Sequence, residues 1–161
     1  MSIPQHRLRD FAPRDRPALT QILVTSEPWL TLGYGAGDWE RLFSAIPSSR
    51  EGYVIESDGI ATGVAVLRPR VLLGDYLELL AVAPEKRGQG MGAALLAHVE
   101  EVAFARAKNL FACVSDFNDG ARRFYEHHGY KLIGAIPDLV VVGHAELLMR
   151  KTTGPVRDKK R

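Results

Sequence analysis

Three glycines at alternate positions, Gly88, Gly90 and Gly92, lie in the run R-G-Q-G-M-G that opens at Arg87. Without side chains they leave backbone N–H groups uncovered, and an apolar stretch with helical character (Ala93–Ala97) starts directly behind them. A helix turns the positive end of its dipole toward such a corner, which makes it a seat for an anion, most naturally a phosphate or pyrophosphate. Just upstream, Leu77–Val82 is apolar apart from Glu78. A carboxylate in the middle of an apolar strand has a partner or a task, because burying it alone is costly. Strand alternation puts it on one side with Tyr76, Leu80 and Val82. Glu146, among Ala145, Leu147 and Leu148, is a second carboxylate of this kind.

The elements that must hold these residues can be read in chain order. His6–Phe11 alternates loosely and predicts an opening strand. Pro13 and Pro17 bracket a helix start whose apolar stripe is Ala18, Leu19, Ile22 and Leu23. Glu27-Pro28-Trp29 breaks it, and Gly33, Gly35 and Gly37 mark a loop, after which Asp38 caps a short helix through Ile46. Trp29 and Tyr34 suit a lid that touches a substrate; the alternative is an ordinary connection with Trp29 tucked into the core. Gly52–Ser57 and Ile60–Leu67 are strands joined by Asp58-Gly59, a strong hairpin signal. Gly74-Asp75 turns the chain again into a strand over Tyr76–Val82. A helix over Gly90–Ala107 carries Met91, Leu95, Val99 and Val102 on one face. Leu110–Ser115 is the next strand, and a crossover of this length makes it parallel to the strand before the helix. Asn118 or Asp119 caps a helix with Ala121, Phe124, Tyr125 and His128 on one face, ended by Gly129. Strands at about Lys131–Ile136 and His144–Lys151 complete an α/β (α+β) domain: a mixed, mostly antiparallel sheet with one parallel pair, flanked by helices.

With 161 residues the chain reads as one domain over residues 1–153, followed by a basic tail at 154–161 that has too few apolar residues to order itself. Four of the 21 Lys and Arg and one of the 19 Asp and Glu lie in Val156–Arg161, which leaves 17 basic and 18 acidic residues elsewhere, a net charge of −1. A near-neutral body does not predict nucleic-acid binding. No apolar run approaches the ~20 residues of a membrane span, and Met1–Asp10 lacks the apolar centre of a signal peptide. A single cysteine, Cys113, excludes an internal disulfide framework and fits a reducing cytoplasm. Placed mid-strand among apolar residues, it reads as an inert buried thiol. His127 and His128 have no metal-ligand company, so no metal is expected, and His128 reads as a satisfied core histidine.

Nucleotide motifs fit the glycine corner poorly. A P-loop needs G-x-x-x-x-G-K-S/T, and no such lysine follows. A dinucleotide fingerprint matches Gly88, Gly90 and Ala93, with Asp116 at the end of the next strand. However, Pro84-Glu85-Lys86-Arg87 separates strand from glycine where that fold turns at once, and no second βαβ unit is visible. The stretch V-A-P-E-K-R-G-Q-G-M-G instead resembles the acetyl-CoA signature of the GNAT superfamily of N-acyltransferases, R/Q-x-x-G-x-G/A, here Arg87, Gly90 and Gly92. A second motif, N-D-G-A-R-R-F-Y-E-H-H-G-Y from Asn118 to Tyr130, is similar to that family's N-x-x-A-x-x-x-Y-x-x-x-G-F/Y helix. The two together cover the family's element order over roughly residues 6–151.

The resemblance implies acetyl-CoA as the cofactor and an amine as the acceptor. Pyrophosphate would take N–H groups from Arg87, Gly88, Gln89, Gly90, Met91 and Gly92, with Arg87 and Lys86 adding charge; the alternative for Arg87 is a solvated turn cation. In the family the two parallel strands splay, and the pantetheine arm pairs with the first of them, here Leu80, Ala81 and Val82. The Leu80 N–H would polarise the thioester carbonyl. Tyr125 matches a tyrosine that protonates the leaving thiolate, or is a core aromatic. Asn118 matches a residue that bonds the arm, or is a plain N-cap. Glu78 would be the general base, or be paired with an arginine such as Arg68 or Arg70. A base matters most for a lysine-like acceptor, since holding an amine of pKa ~10.4 neutral at pH 7 costs about 4–5 kcal/mol, against about 1–1.5 for an α-amino group. Acceptor contacts are expected from Trp29, Tyr34, Glu78, Asp138 and Glu146, although Glu146 could instead be structurally paired. The acceptor itself, a small-molecule or peptide amine, is not encoded in any motif. Leu139–Val142 is either a paired strand or an interface for a second copy. A module of the same fold that holds acyl-CoA without turnover is the alternative to an enzyme.

Overall fold

The computed structural model describes residues 6–159. One seven-stranded sheet runs in the order β1-β2-β3-β4-β5-β7-β6. Its strands are β1 (His6–Asp10), β2 (Glu51–Ser57), β3 (Ile60–Val71), β4 (Gly74–Val82), β5 (Asn109–Ser115), β6 (Lys131–Pro137) and β7 (Ala145–Thr152). Every neighbouring pair is antiparallel except β4 and β5. The mixed sheet with one parallel junction is therefore as the sequence predicts. Two helices, α1 (Arg16–Val24) and α2 (Ala36–Ser44), pack Leu19, Leu23, Trp39 and Phe43 against one face of β2–β4. On the other face α3 (Met91–Phe104) and α4 (Asp119–His127) bury Met91, Leu95, Val99 and Tyr125. Among the described residues no helix is long and apolar enough to cross a membrane.

The hairpin at Asp58-Gly59 forms as expected, with both residues at positive φ (51° and 80°). The next turn does not. Strand β3 runs on to Val71, Gly74 and Asp75 belong to β4, and the turn falls on Leu72 and Leu73 at φ 49° and 61°. Gly74 is needed for closeness rather than for turning, because a Cβ there would collide with the Asn109 backbone of β5. Asp38 is not the cap of α2. Gly35 is the N-cap, and the Asp38 carboxylate accepts the Gly35 N–H at 2.8 Å from inside the first turn.

One irregularity governs the site. Leu67 pairs with Leu77 and Val66 with Leu79, so Glu78 is an extra residue in β4, a β-bulge. The bulge swaps faces: Leu77 joins the core under α3, Leu79 and Ala81 join the core under α1 and α2, and Leu80 and Val82 return to the α3 side. Simple alternation, which groups Glu78 with Tyr76, Leu80 and Val82, fails here. On its other edge β4 pairs with β5 only through Asp75, Tyr76 and Leu77, against Leu110, Phe111 and Ala112. Beyond them the two strands part.

The closed end of this fork is pinned by charge. Arg106, just past α3, donates to both Glu51 oxygens (2.6 and 2.7 Å) and through Nε to Asp75 Oδ2 at 2.8 Å. Asp75 is 2% exposed. Removing one partner of a buried pair strands the other charge, at about 3 kcal/mol. Arg106→Met should therefore lower Tm by roughly 6–12 °C for a chain of this size, as read by thermal unfolding.

Candidate active site

A single cavity of about 710 Å³ follows the fork. The unpaired stretch of β4 from Glu78 to Val82 forms one wall, Cys113, Val114 and Ser115 of β5 face it, and the glycine corner closes one end. The sequence resemblance predicts both the splay and the nearness of the corner to the unpaired strand.

The corner is built as its composition predicts. Gly88 and Gly90 sit at φ 76° and 81°, where an L-residue is strained although space around them is open. Gly90 is the N-cap of α3 and has no side chain to place over the first-turn N–H groups. Gly92 sits where α3 passes close to its neighbours: a Cβ there would lie 3.8 Å from the Phe124 ring and 3.9 Å from Val82. Lys86, Arg87, Gly88, Gly90, Met91 and Gly92 all line the cavity. Gln89 does not; its amide turns back to the Glu85 carbonyl at 3.5 Å. Arg87 is anchored by Nε donating to the Val82 carbonyl at 3.3 Å.

Tyr125 lines the cavity from α4 and is 7% exposed. Burial, with the nearby Cys113 sulfur adding to it, pushes its phenol far above the usual range, so it stays protonated and can only give a proton to a strong base. Asn118 performs the capping role, accepting the Ala121 N–H through Oδ1 at 3.2 Å, and also lines the cavity. Cys113 is not the fully buried core thiol that its neighbours predict. It is half-buried, faces the cavity and sits beside Tyr76. Burial raises its pKa, which keeps it a thiol. His128 also reaches the cavity, with Nδ1 2.7 Å from the Phe124 carbonyl oxygen. Trp29 and Tyr34 pack on Trp39, edge-on at 5.7 Å and stacked at 5.0 Å, as the core reading expects, and they also line the cavity.

The acidic residues divide. Glu78 lines the cavity but is already engaged, its Oε2 accepting from Arg50 Nε at 2.5 Å. The arginine is thus Arg50, from the loop before β2, and not Arg68 or Arg70. Asp138 is not brought to the cavity; its carboxylate accepts the Gly143 N–H at 2.8 Å and closes the loop between β6 and β7. Glu146 reaches the cavity from β7, is 8% exposed, and its Oε2 has no hydrogen-bond partner among the described residues. Its cross-strand neighbour Ser115 also has an unpartnered Oγ. Sequence reading missed Arg50 and Ser115; neither carries a local signal, because both act through strand pairing.

Burial raises the Glu146 carboxyl above its usual range; the adjacent Ser115 hydroxyl offsets part of this, and the charge of Asp116 adds to it. A raised folded-state pKa means that the folded protein binds more protons than the unfolded chain. Stability therefore falls as pH rises from the unfolded value of about 4.3 through the folded one, and stays lower above it. Glu146→Gln, which mimics the neutral form, should unfold at a higher temperature than wild type at pH 8. The difference should close by about pH 4, as followed by calorimetry across pH.

Comparisons with known proteins agree with this geometry. Residues 13–130 match the model of the acetyltransferase (GNAT) family. A Bacillus subtilis (strain 168) protein named as the uncharacterized N-acetyltransferase YesJ is 31% identical over 75% of this chain and 79% of its own. Among solved structures, the ribosomal-protein-S18-alanine N-acetyltransferase of Escherichia coli superposes with a TM-score of 0.79 at 18% identity, covering 98% of this chain and 99% of that one. An aminoglycoside 6'-N-acetyltransferase in complex with coenzyme A gives a TM-score of 0.75 at 20% identity, with 94% and 99% covered. At these identities the two structures establish the shared fold, while the family match and the Bacillus relative carry the assignment: this chain belongs to the GNAT family of acetyltransferases.

Proposed function

We propose that the protein is an acetyl-CoA-dependent N-acetyltransferase that moves the acetyl group directly to a primary amine of a small molecule or peptide. The observation that carries this reading is the fork itself, an unpaired β4 edge leading into the glycine corner within one cavity. The residues present fit the cofactor. The open N–H corner suits a pyrophosphate, and the bare edge from Glu78 to Val82 suits an arm that carries amide groups.

Acetyl-CoA, when bound, supplies a thioester carbonyl activated for attack. The chain supplies the rest. Gly88–Gly92 and Arg87 hold the phosphates, and Leu80–Val82 pair with the arm, which Asn118 steadies from the start of α4. The Leu80 N–H donates to the carbonyl oxygen, where negative charge develops. Tyr125 keeps its phenol protonated because burial raises it, and so has an O–H to offer the departing sulfur as a hydrogen-bond and proton donor. Trp29 and Tyr34 form the acceptor wall, and their aromatic faces suit a cationic amine.

A ligand at 100 times its Kd adds about 2.7 kcal/mol of stability, so CoA or acetyl-CoA should raise Tm by roughly 5–10 °C. A shift with NAD(H) or NADP(H) and none with CoA would refute the reading. Mixing protein, acetyl-CoA and a panel of amines with a thiol reagent separates enzyme from binding module: the enzyme releases CoA with at least one amine, the module with none. Tyr125→Phe should lower kcat about 100-fold while keeping the CoA-induced Tm shift.

A further inference from the structure

We propose that Glu146, rather than Glu78, binds the ammonium group of the acceptor and takes its proton, because Glu146 is the buried carboxylate of the cavity whose Oε2 is left without a hydrogen-bond partner. The inference rests on the acetyl-transfer reading above.

Three carboxylates line the cavity: Glu27, whose Oε2 accepts the Thr31 N–H at 3.2 Å, and the pair Glu78 and Glu146 beside Tyr34 and Tyr76, which differ in what they already hold. Glu78 is bound to Arg50 at 2.5 Å, which supplies a full positive charge and a donor. An ammonium approaching it would compete with a guanidinium, and a carboxylate so engaged is a weak base. Glu146 is 92% buried by its 8% exposure, has no charged side chain in salt-bridge contact among the described residues, and lines the same cavity as Tyr125. A buried carboxylate oxygen without a donor is costly, and a protein keeps one where a ligand supplies the donor. The Ser115 hydroxyl beside it, also unpartnered, offers an acceptor for a second ammonium N–H and a donor to the carboxylate once a ligand orders it.

The surroundings support base character. Tyr34 from the loop after α1, Tyr76 on β4, and Cys113 on β5 all lie close enough to Glu146 to feel its charge, and all three are neutral. Asp116 and His144 are the charged or titratable groups at the ends of β5 and β7, and they are bonded to each other at 3.1 Å, so neither donates to Glu146. Glu78 also acts on Tyr34 and Tyr76, so the two carboxylates flank the same aromatic pair. Of the two, Glu146 is the one with no cation bound to it among the described residues. The proton balance is simple. One N–H bond of the ammonium breaks, its electron pair stays on nitrogen as the attacking lone pair, and an O–H bond forms at Glu146, which returns to carboxylate by releasing that proton to water after product leaves; the second N–H proton leaves the nitrogen as the amide forms and restores the one that Tyr125 gives to the departing sulfur.

The test has a physical arm and a kinetic arm. In protein labelled with carbon-13 at glutamate carboxyls, the Glu146 resonance is identified by its loss in Glu146→Gln. It should titrate above the ordinary glutamate value, and 2-phenylethylammonium, chosen to fit the aromatic wall, should lower its midpoint. The same amine should raise Tm in wild type and Glu78→Gln but not in Glu146→Gln. With the panel amine turned over fastest, kcat/KM of Glu146→Gln should fall about 100- to 1,000-fold at pH 7 and lose the acid limb of its pH profile. Its CoA-induced Tm shift should be that of wild type. An acid limb that survives in Glu146→Gln, or one that vanishes in Glu78→Gln alone, overturns the assignment. So does a Glu146 resonance at the ordinary position that ignores the amine. Absence of a CoA-induced shift in wild type would instead sink the acetyl-transfer reading.

Discussion

The parting of β4 from β5 after Leu77 is the constraint on which the rest of the molecule depends. Parallel neighbours in a sheet normally satisfy each other's N–H and C=O groups along their length, and separating them exposes a row of unpaired polar groups in the middle of the domain. That arrangement survives only if something holds the strands together at one end and something else forces them apart. Arg106, spanning Asp75 and Glu51, and the tight passage of Gly74 beside Asn109 do the first. The bulge at Glu78 does the second, because the extra residue twists β4 away at the point where pairing stops. The exposed groups then look onto a cavity rather than into core packing, so a ligand can supply what the missing strand does not.

The same geometry sorts charge along the cavity. At the glycine corner the side chains are cationic, Lys86 and Arg87, and backbone N–H groups add to them. Toward the other end stand Glu78 and Glu146, with Trp29, Tyr34 and Tyr76 between. The cavity therefore carries both cationic and anionic side chains along its walls. Arg50 makes this separation workable. By pairing with Glu78 it reduces the repulsion between Glu78 and Glu146 across the aromatic pair.

Much of this was legible in the sequence, and the parts that were not share a cause. The Asp58-Gly59 hairpin, the glycine corner, the Asn118 cap and the parallel crossover are local features, written in residues whose conformations are restricted in isolation. The turn at Leu72 and Leu73 could not be found, since leucine carries no preference for positive φ and Gly74-Asp75 offered a better signal next door. The bulge, the Arg50–Glu78 pair and the exposure of Cys113 to the cavity all depend on register and strand divergence. Those properties emerge only when distant segments meet, and a bulge of one residue reassigns every side chain beyond it.

The positions where sequence rules fail are also those where the fold gives up stability. Glu146 is buried with an unsatisfied oxygen, and Ser115 opposite it has an unpartnered hydroxyl. An apolar pair at these two cross-strand positions would fill the same space with no desolvation cost, and β5 and β7 are otherwise supplied with such residues, as at Val114 and Leu147. Arg16 Nε, Trp39 Nε1 and Ser57 Oγ are also buried without a partner among the described residues, but Ser115 and Glu146 are the two that face each other across a strand pair and line the cavity. Glu78, the more conspicuous carboxylate in the sequence, is bonded to Arg50, while Glu146 on β7 has no cation bound to it among the described residues. Glu146 and Tyr125 reach the one cavity from different elements, β7 and α4, so its carboxylate and its buried phenol are positioned independently of each other.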